Sequence, residues 1–170
     1  MRRMNTKIIV RELSWWDRDA LERHLLALGA EDRHLRFGIS LSDTATRMYV
    51  SRIDFAQDAA FGVFDDERRL LGAAHLARHN GDAELGVSVL PGHRRSGLGG
   101  ALLDRAHAHA RDWGVHALFA HCRGENAAMT HLARSRGMEI VFASGGAEAW
   151  LKLPPAAAES RHKLAPAPAG

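Results

Sequence analysis

The stretch from Glu84 to Cys122 constrains the fold more than any other part of the chain. It reads as strand, glycine-rich basic turn, helix, strand. Glu84–Leu90 alternates, with Leu85, Val87 and Val89 on one face and Glu84, Gly86 and Ser88 on the other. Pro91-Gly92 ends it. Gly97–Trp113 then carries Leu98, Leu102, Ala106, Ala110 and Trp113 on one helical face; Gly114 stops the helix and Ala117–Cys122 is apolar again. Strand, helix and strand in this order form a right-handed parallel crossover. Immediately upstream, Asn80-Gly81 is a two-residue hairpin signal, because both positions tolerate positive φ in a type I′ turn. It pairs the strand at Glu84 with Leu70–Ala77, and the polar turn Asp65-Asp66-Glu67 pairs that one with Ala59–Phe64. The sheet must therefore be antiparallel on one side of the Glu84 strand and parallel on the other.

The flanks extend this unit. Thr6–Leu13 reads as a first strand, and Ser14 with Asp17 three residues on is a variant capping box. The helix it starts runs to Leu28, with a stripe of Leu21, Leu25 and Leu28, and Gly29 ends it. Glu31–Phe37 is a helical turn, and Asp43–Ile53 a helix capped by Ser42. Downstream, Asn126–Arg136 is a helix closed by Gly137. Met138–Ala143 and Ala147–Leu153 form a hairpin around Ser144-Gly145-Gly146. Residues 1–5 read as an arm, 6–153 as one domain and 154–170 as a tail expected to be disordered, since it holds four of the five prolines and almost no bulky apolar residue.

Composition sets outer limits. A chain of 170 residues is one domain's worth and can bury a sizeable core without staples. The single cysteine, Cys122, excludes an internal disulfide, and no apolar run is long enough to span a membrane. Arg2-Arg3 is followed only by Ile8-Ile9-Val10 before Arg11-Glu12, too short for a signal peptide's apolar region, so a cytoplasmic location is expected. Lys and Arg number 23 against 20 Asp and Glu, a net charge of +3 that forms a weak field. The arginines are not interleaved with aromatics along a strand, so no nucleic-acid partner is expected. The histidine pairs His107/His109, His75/His79 and His116/His121 lack metal-ligand spacing, and no metal is expected.

The chemistry concentrates in Arg94-Arg95-Ser96-Gly97-Leu98-Gly99-Gly100. Free N–H groups at a helix start, the helix dipole, small residues and two guanidinium groups together make a pyrophosphate cradle. No P-loop lysine is present, and Leu102 stands where a dinucleotide fingerprint needs a small residue. A basic turn whose glycines merely pack is the other reading.

The turn resembles the signature of the GNAT superfamily of acetyl-CoA-dependent N-acetyltransferases, arginine or glutamine, two residues, glycine, one residue, glycine or alanine; Arg94, Gly97 and Gly99 match it. Ala83–Val89 resembles that family's central strand, and Asn126–Leu132 with Gly137-Met138 its second cofactor segment. Glu31–Phe37 is similar to a segment of the branch holding bacterial protein-lysine acetyltransferases.

The resemblance implies a three-layer α+β fold. Its mixed, mostly antiparallel sheet has six or seven strands, is splayed at its centre and is flanked by about four helices. It implies acetyl-CoA in the splay, with pyrophosphate on Arg94, Arg95, Ser96, Gly97, Leu98, Gly99 and Gly100, and the pantetheine arm between backbone groups of Val87 and Val89 and the side chain of Asn126. The acceptor is a primary amine, on a small molecule or a protein lysine, and the protein a monomer or homodimer.

An alkyl ammonium of pKa ~10.4 must lose a proton before it attacks a thioester. Glu84, with small Gly86 and Ser88 beside it, is the candidate base; a solvated carboxylate at a strand start is the alternative. Many relatives place a tyrosine, the acid for the leaving thiolate, where this chain has Ala133; its only tyrosine is Tyr49. A non-catalytic acyl-CoA sensor is the second functional class. Cys122 reads as a packed thiol. Trp15, Trp16 and Phe37 could line the acceptor pocket or the core, and Arg33, Arg36, Arg47 and Arg52 could face an acidic substrate or solvent.

Overall fold

The computed structural model describes residues 7–123, 126–143 and 146–155. Seven strands form one sheet: β1 (Arg11–Leu13), β2 (Ala59–Phe64), β3 (Leu70–His79), β4 (Asp82–Val89), β5 (Ala117–Cys122), β6 (Glu139–Ala143) and β7 (Gly146–Lys152). Their spatial order is β1-β2-β3-β4-β5-β7-β6. Every neighbouring pair is antiparallel except β4 and β5, which are parallel as the crossover requires. The expected tail, the arm, Thr6 and the Ser144-Gly145 turn lie wholly or mostly outside the described residues.

The hairpin turn fixes the register of the whole centre. Asn80 and Gly81 take φ of 49° and 83°, and the ladder runs from His79↔Asp82 through His75↔Gly86 to Gly72↔Val89. Five α-helices, one more than expected, cover the sheet: α1 (Arg18–Leu26), α2 (Ala30–Phe37), α3 (Asp43–Ser51), α4 (Leu98–Trp113) and α5 (Ala127–Ser135). Helices α1 to α3 lie over one face. Helix α4 packs on the other, where a methyl built on Gly72 would meet Leu102, and α5 sits beside α4. Phe61, Leu76, Leu102, Leu103 and Leu118 are fully buried between the layers, each side chain contributing roughly 1.5–3 kcal/mol of apolar transfer. Among the described residues no helix is long and apolar enough to cross a membrane.

Two expectations at the N-terminal end need correction. The first strand is only Arg11–Leu13: its partners end at Gly62, just before β2 shifts register between Val63 and Phe64, and Ile9 is 72% exposed. The helix from Ser14 to Leu28 is a 3-10 turn (Trp15–Asp17) followed by α1. The Ser14 N–H donates to Asp17 Oδ2 at 2.9 Å, so the capping pair exists but closes a tight turn. Gly29, at φ −69°, is not a helix end but the N-cap of α2.

Candidate active site

The sheet opens at its centre. Strands β4 and β5 pair only at Ala83↔Leu118 and Glu84↔Phe119. Beyond that point β4 follows β3 to Val89 and β5 follows β7 to Cys122. From Leu85 on, β4 therefore presents an unpaired edge, the kind of backbone template to which an extended amide-bearing chain adds. Val87 and Val89 lie on that edge with their side chains toward α4. The Val89 carbonyl accepts from Arg94 Nε at 3.3 Å.

The turn after β4 is built on positive φ at Gly92 (87°), Arg95 (58°) and Gly97 (86°). Gly97 is the N-cap of α4, and Ala101 is the first residue to donate back, to the Gly97 carbonyl at 3.1 Å. The N–H groups of Leu98, Gly99 and Gly100 are the helix's orphan donors and sit at the mouth of the splay. Arg95 is exposed and makes no ion pair with the described residues, whereas Arg94 pairs with Asp32 of α2 at 2.8 Å. The Ser96 hydroxyl donates to the His93 carbonyl. A methyl on Gly99 would make only ordinary contact with Leu132 of α5 at 3.4 Å, whereas one on Gly100 would collide with the Arg136 guanidinium, the movable end of its side chain. Charge, orphan donors and an open edge converge here, and the residues present fit a nucleotide pyrophosphate with a trailing amide arm.

Asn126, assigned to the arm, caps α5: its Oδ1 accepts from the Met129 N–H at 3.1 Å, leaving its amide N–H groups to donate. Ala133 is fully buried inside α5. Cys122 is buried, and burial pushes its thiol pKa up, as suits a packed side chain rather than a nucleophile.

Glu84 lies on the face covered by α1 to α3, with its side chain 43% exposed. Its Oε1 is 3.5 Å from His121 Nε2, and His121 Nδ1 is 3.5 Å from Glu148 Oε1. Glu148 accepts from the Trp150 indole N–H at 2.7 Å, and Trp150 stacks on Phe119. The carboxylate thus stands where β4 and β5 part, with an imidazole beside it leading outward.

A second polar group on the same face escaped the sequence reading. Arg36 of α2, Tyr49 of α3, His75 of β3 and Asp58 of the loop before β2 form one chain. His75 Nε2 is 2.9 Å from Asp58 Oδ2, Tyr49 Oη is 2.5 Å from His75 Nδ1, and Arg36 Nη2 donates to Tyr49 Oη at 2.9 Å. Burial lowers the His75 pKa, so the ring is neutral, donates from Nε2 to the carboxylate and accepts the Tyr49 hydroxyl proton at Nδ1. The guanidinium of Arg36 rests on Gly86, so the room that this small residue leaves beside Glu84 is filled by Arg36. The signal was present: a two-residue turn at Asn80-Gly81 places His75 opposite Gly86 by counting alone.

The other candidates separate. Arg33 is buried and donates to the carbonyls of Leu26, Leu28 and Leu41, so it is neither solvated nor substrate-facing. Arg47 and Arg52 are exposed. Trp15 and Trp16 stack on each other and stay 58% and 78% exposed, outside the core. Phe37 lies under Arg36, 4.5 Å from its guanidinium carbon.

The chain is thus a layered fold with a split central sheet and a glycine-capped helix at the split. Residues 31–138 match the model of the Acetyltransferase (GNAT) family, and the chain belongs to that family. A stretch of 80 residues is 35% identical to the L-amino acid N-acyltransferase MnaT of Escherichia coli K12; it covers 47% of this chain and 43% of that protein, less than half the relative's length. Among solved structures, the GNAT domain of Streptomyces lividans PAT superposes with a TM-score of 0.72 at 20% identity, covering 85% of this chain and 89% of that one. A GNAT phosphinothricin acetyltransferase from Sinorhizobium meliloti, in complex with acetyl-CoA, gives 0.64 at 16% identity over 88% and 89%. The fold expectation from the sequence is met, and the family match spans residues 31–138.

Proposed function

We propose that the protein moves an acetyl group from acetyl-CoA to a primary amine, with Glu84 as general base. One observation carries this reading: the split between β4 and β5 has orphan helix donors and arginines at its mouth and a carboxylate at its apex. Acetyl-CoA supplies an activated thioester.

The residues then have separable tasks. Arg94, Arg95 and Ser96 with the N–H groups of Leu98, Gly99 and Gly100 hold the pyrophosphate, and Gly97 sets the turn. The open edge of β4 at Val87 and Val89, with the amide N–H groups of Asn126, holds the arm. Glu84 takes a proton from the acceptor ammonium, and His121 beside it gives that proton a way to solvent. As the nitrogen–carbon bond forms and the carbon–sulfur bond breaks, a second proton leaves nitrogen and one proton ends on sulfur. With Ala133 buried in α5, no side chain there donates it, and water fills that role.

The test is thiol release from acetyl-CoA with a panel of amines. Glu84→Gln keeps size and hydrogen bonding but cannot take the proton, so turnover falls about 10²–10⁴-fold. Calorimetric acetyl-CoA affinity holds, because the phosphate end of the site lies some 16 Å further along β4. Wild-type turnover in the variant overturns the base assignment. Acetyl-CoA binding with no thiol release for any amine overturns catalysis and leaves an acyl-CoA sensor.

A further inference from the structure

Gly86 lies two residues beyond Glu84 on the same face of β4, roughly 6.7 Å along the strand. A methyl group there would collide face-on with Cζ and both terminal nitrogens of Arg36. The guanidinium is held in that place from several sides. Phe37 and Tyr49 lie with ring centres 4.5 and 5.6 Å from its carbon, and Tyr49, anchored through His75 to Asp58, accepts one of its N–H groups. All the hydrogens of this chain point toward Asp58, so Tyr49 orients Arg36 without neutralising it.

Arg36 is set apart from its neighbours by what it does not pair with. Arg33 meets Asp43 at 2.8 Å and Arg94 meets Asp32 at 2.8 Å, whereas no carboxylate among the described residues lies within ion-pair distance of Arg36. Only one of its five N–H donors is used within the described residues. A half-buried, preoriented guanidinium with spare donors fits a planar oxyanion, above all a carboxylate, in two-pronged geometry.

We propose that Arg36 is the anchor for a carboxylate on the acceptor, and that the acceptor is a small amino acid whose carboxylate lies a few bonds from the nitrogen it acetylates. This rests on the acetyltransferase reading and deepens it. The negative Glu84 and positive Arg36, one strand repeat apart, complement a zwitterion: ammonium toward Glu84, carboxylate on Arg36. The carboxylate makes and breaks no bond; it orients the nitrogen. A lysine side chain of a protein brings a cation with no adjacent anion, and Arg36 repels it. Asp58, His75 and Tyr49 are positioning residues that act through Arg36.

The experiment compares the twenty α-amino acids with their α-carboxamides and with a lysine-containing peptide, measuring kcat and KM separately by thiol release. The carboxamides have the less basic amines, so any preference for the acids runs against intrinsic reactivity. For the acids that the wild type uses, kcat/KM exceeds that of the matched amide at least about tenfold, the scale of a lost charge-assisted hydrogen bond. Arg36→Gln removes the preference mainly by raising KM for the acid. Gly86→Ala, which displaces the guanidinium but keeps its charge, does the same, and Tyr49→Phe does so more weakly. All three keep wild-type acetyl-CoA affinity by calorimetry, which shows that they are folded. Equal or better use of the amides or the peptide by the wild type overturns the inference alone, as does an undiminished acid preference in Arg36→Gln. Absence of thiol release with every amine overturns the acetyltransferase reading, and this inference with it.

Discussion

His24 makes the fold acid-sensitive by an amount that can be worked out. It sits on α1, 2% exposed, with Nδ1 2.9 Å from the Leu70 carbonyl and Nε2 2.8 Å from the Ser88 hydroxyl. A carbonyl can only accept, so Nδ1 carries the proton and Nε2 accepts from Ser88; the ring is neutral and ties α1 to β3 and β4. Burial lowers its pKa from 6.5 to about 4. Above pH 6.5 folded and unfolded forms are both neutral and the group costs nothing. As pH falls from there toward 4, only the unfolded chain takes the proton, and stability is lost. Linkage gives about 2 kcal/mol lost between pH 7.5 and 5, and about 3 kcal/mol below pH 4. His24→Gln keeps a donor and an acceptor but cannot titrate. It should cost ~1–2 kcal/mol at pH 7.5 through imperfect hydrogen bonds. Its further loss from pH 7.5 to 5 should be smaller than the wild type's by about 2 kcal/mol. His75 and His107, also lowered by burial, remain in both proteins, so the difference isolates His24. Urea unfolding at the two pH values measures it. Equal losses in the two proteins would refute the assignment of a buried neutral ring.

Three further outcomes separate backbone demands and charge from packing. Gly97→Ala, at φ 86° and with Ile8 3.3 Å from the new methyl, should cost about 1–2 kcal/mol. Gly100→Ala displaces only the end of Arg136 and its partly exposed pair with Asp104, gains helix propensity and should stay within about 1 kcal/mol of wild type. Thermal unfolding checks both, and a larger loss at Gly100 contradicts the account. Asp32→Asn releases Arg94 from its ion pair and should tighten acetyl-CoA binding about twofold to fivefold at low salt. Weaker calorimetric binding would instead mean that Asp32 holds Arg94 in place.

What the sequence disclosed and what it hid divide along a physical line. Elements whose ends are written in local chemistry came out where expected. The Asn80-Gly81 turn, the Ser42 cap with its Ala45 N–H at 3.1 Å, and Gly114 at φ 70° act within a few residues, and the chain spells them directly. The turn proposed to hold the cofactor was legible as a turn for the same reason, since its glycines and the helix start are contiguous. The polar chain proposed to orient the acceptor was not. Arg36, Tyr49, Asp58 and His75 meet only because α2 and α3 fold down onto β3 and β4, and no local period encodes that docking. His24 was hidden likewise, lying within a leucine stripe whose pattern it does not disturb.

Strand β4 shows how one short segment can organise a whole site. Its odd-numbered residues, Ala83 to Val89, pack toward α4 and anchor the strand in the core. Its even-numbered residues present Glu84, the Gly86 surface that carries Arg36, and Ser88 bound to His24. Its β3 edge is fully paired, which fixes register to the residue; its β5 edge is paired for two residues and then free. A period of two supplies the two faces, and the split supplies the third surface. The proposed base, the surface that seats Arg36 and the proposed cofactor edge are therefore held on one register-locked element. Shifting that register by one residue would turn Glu84 into the core and lose all three proposed roles at once.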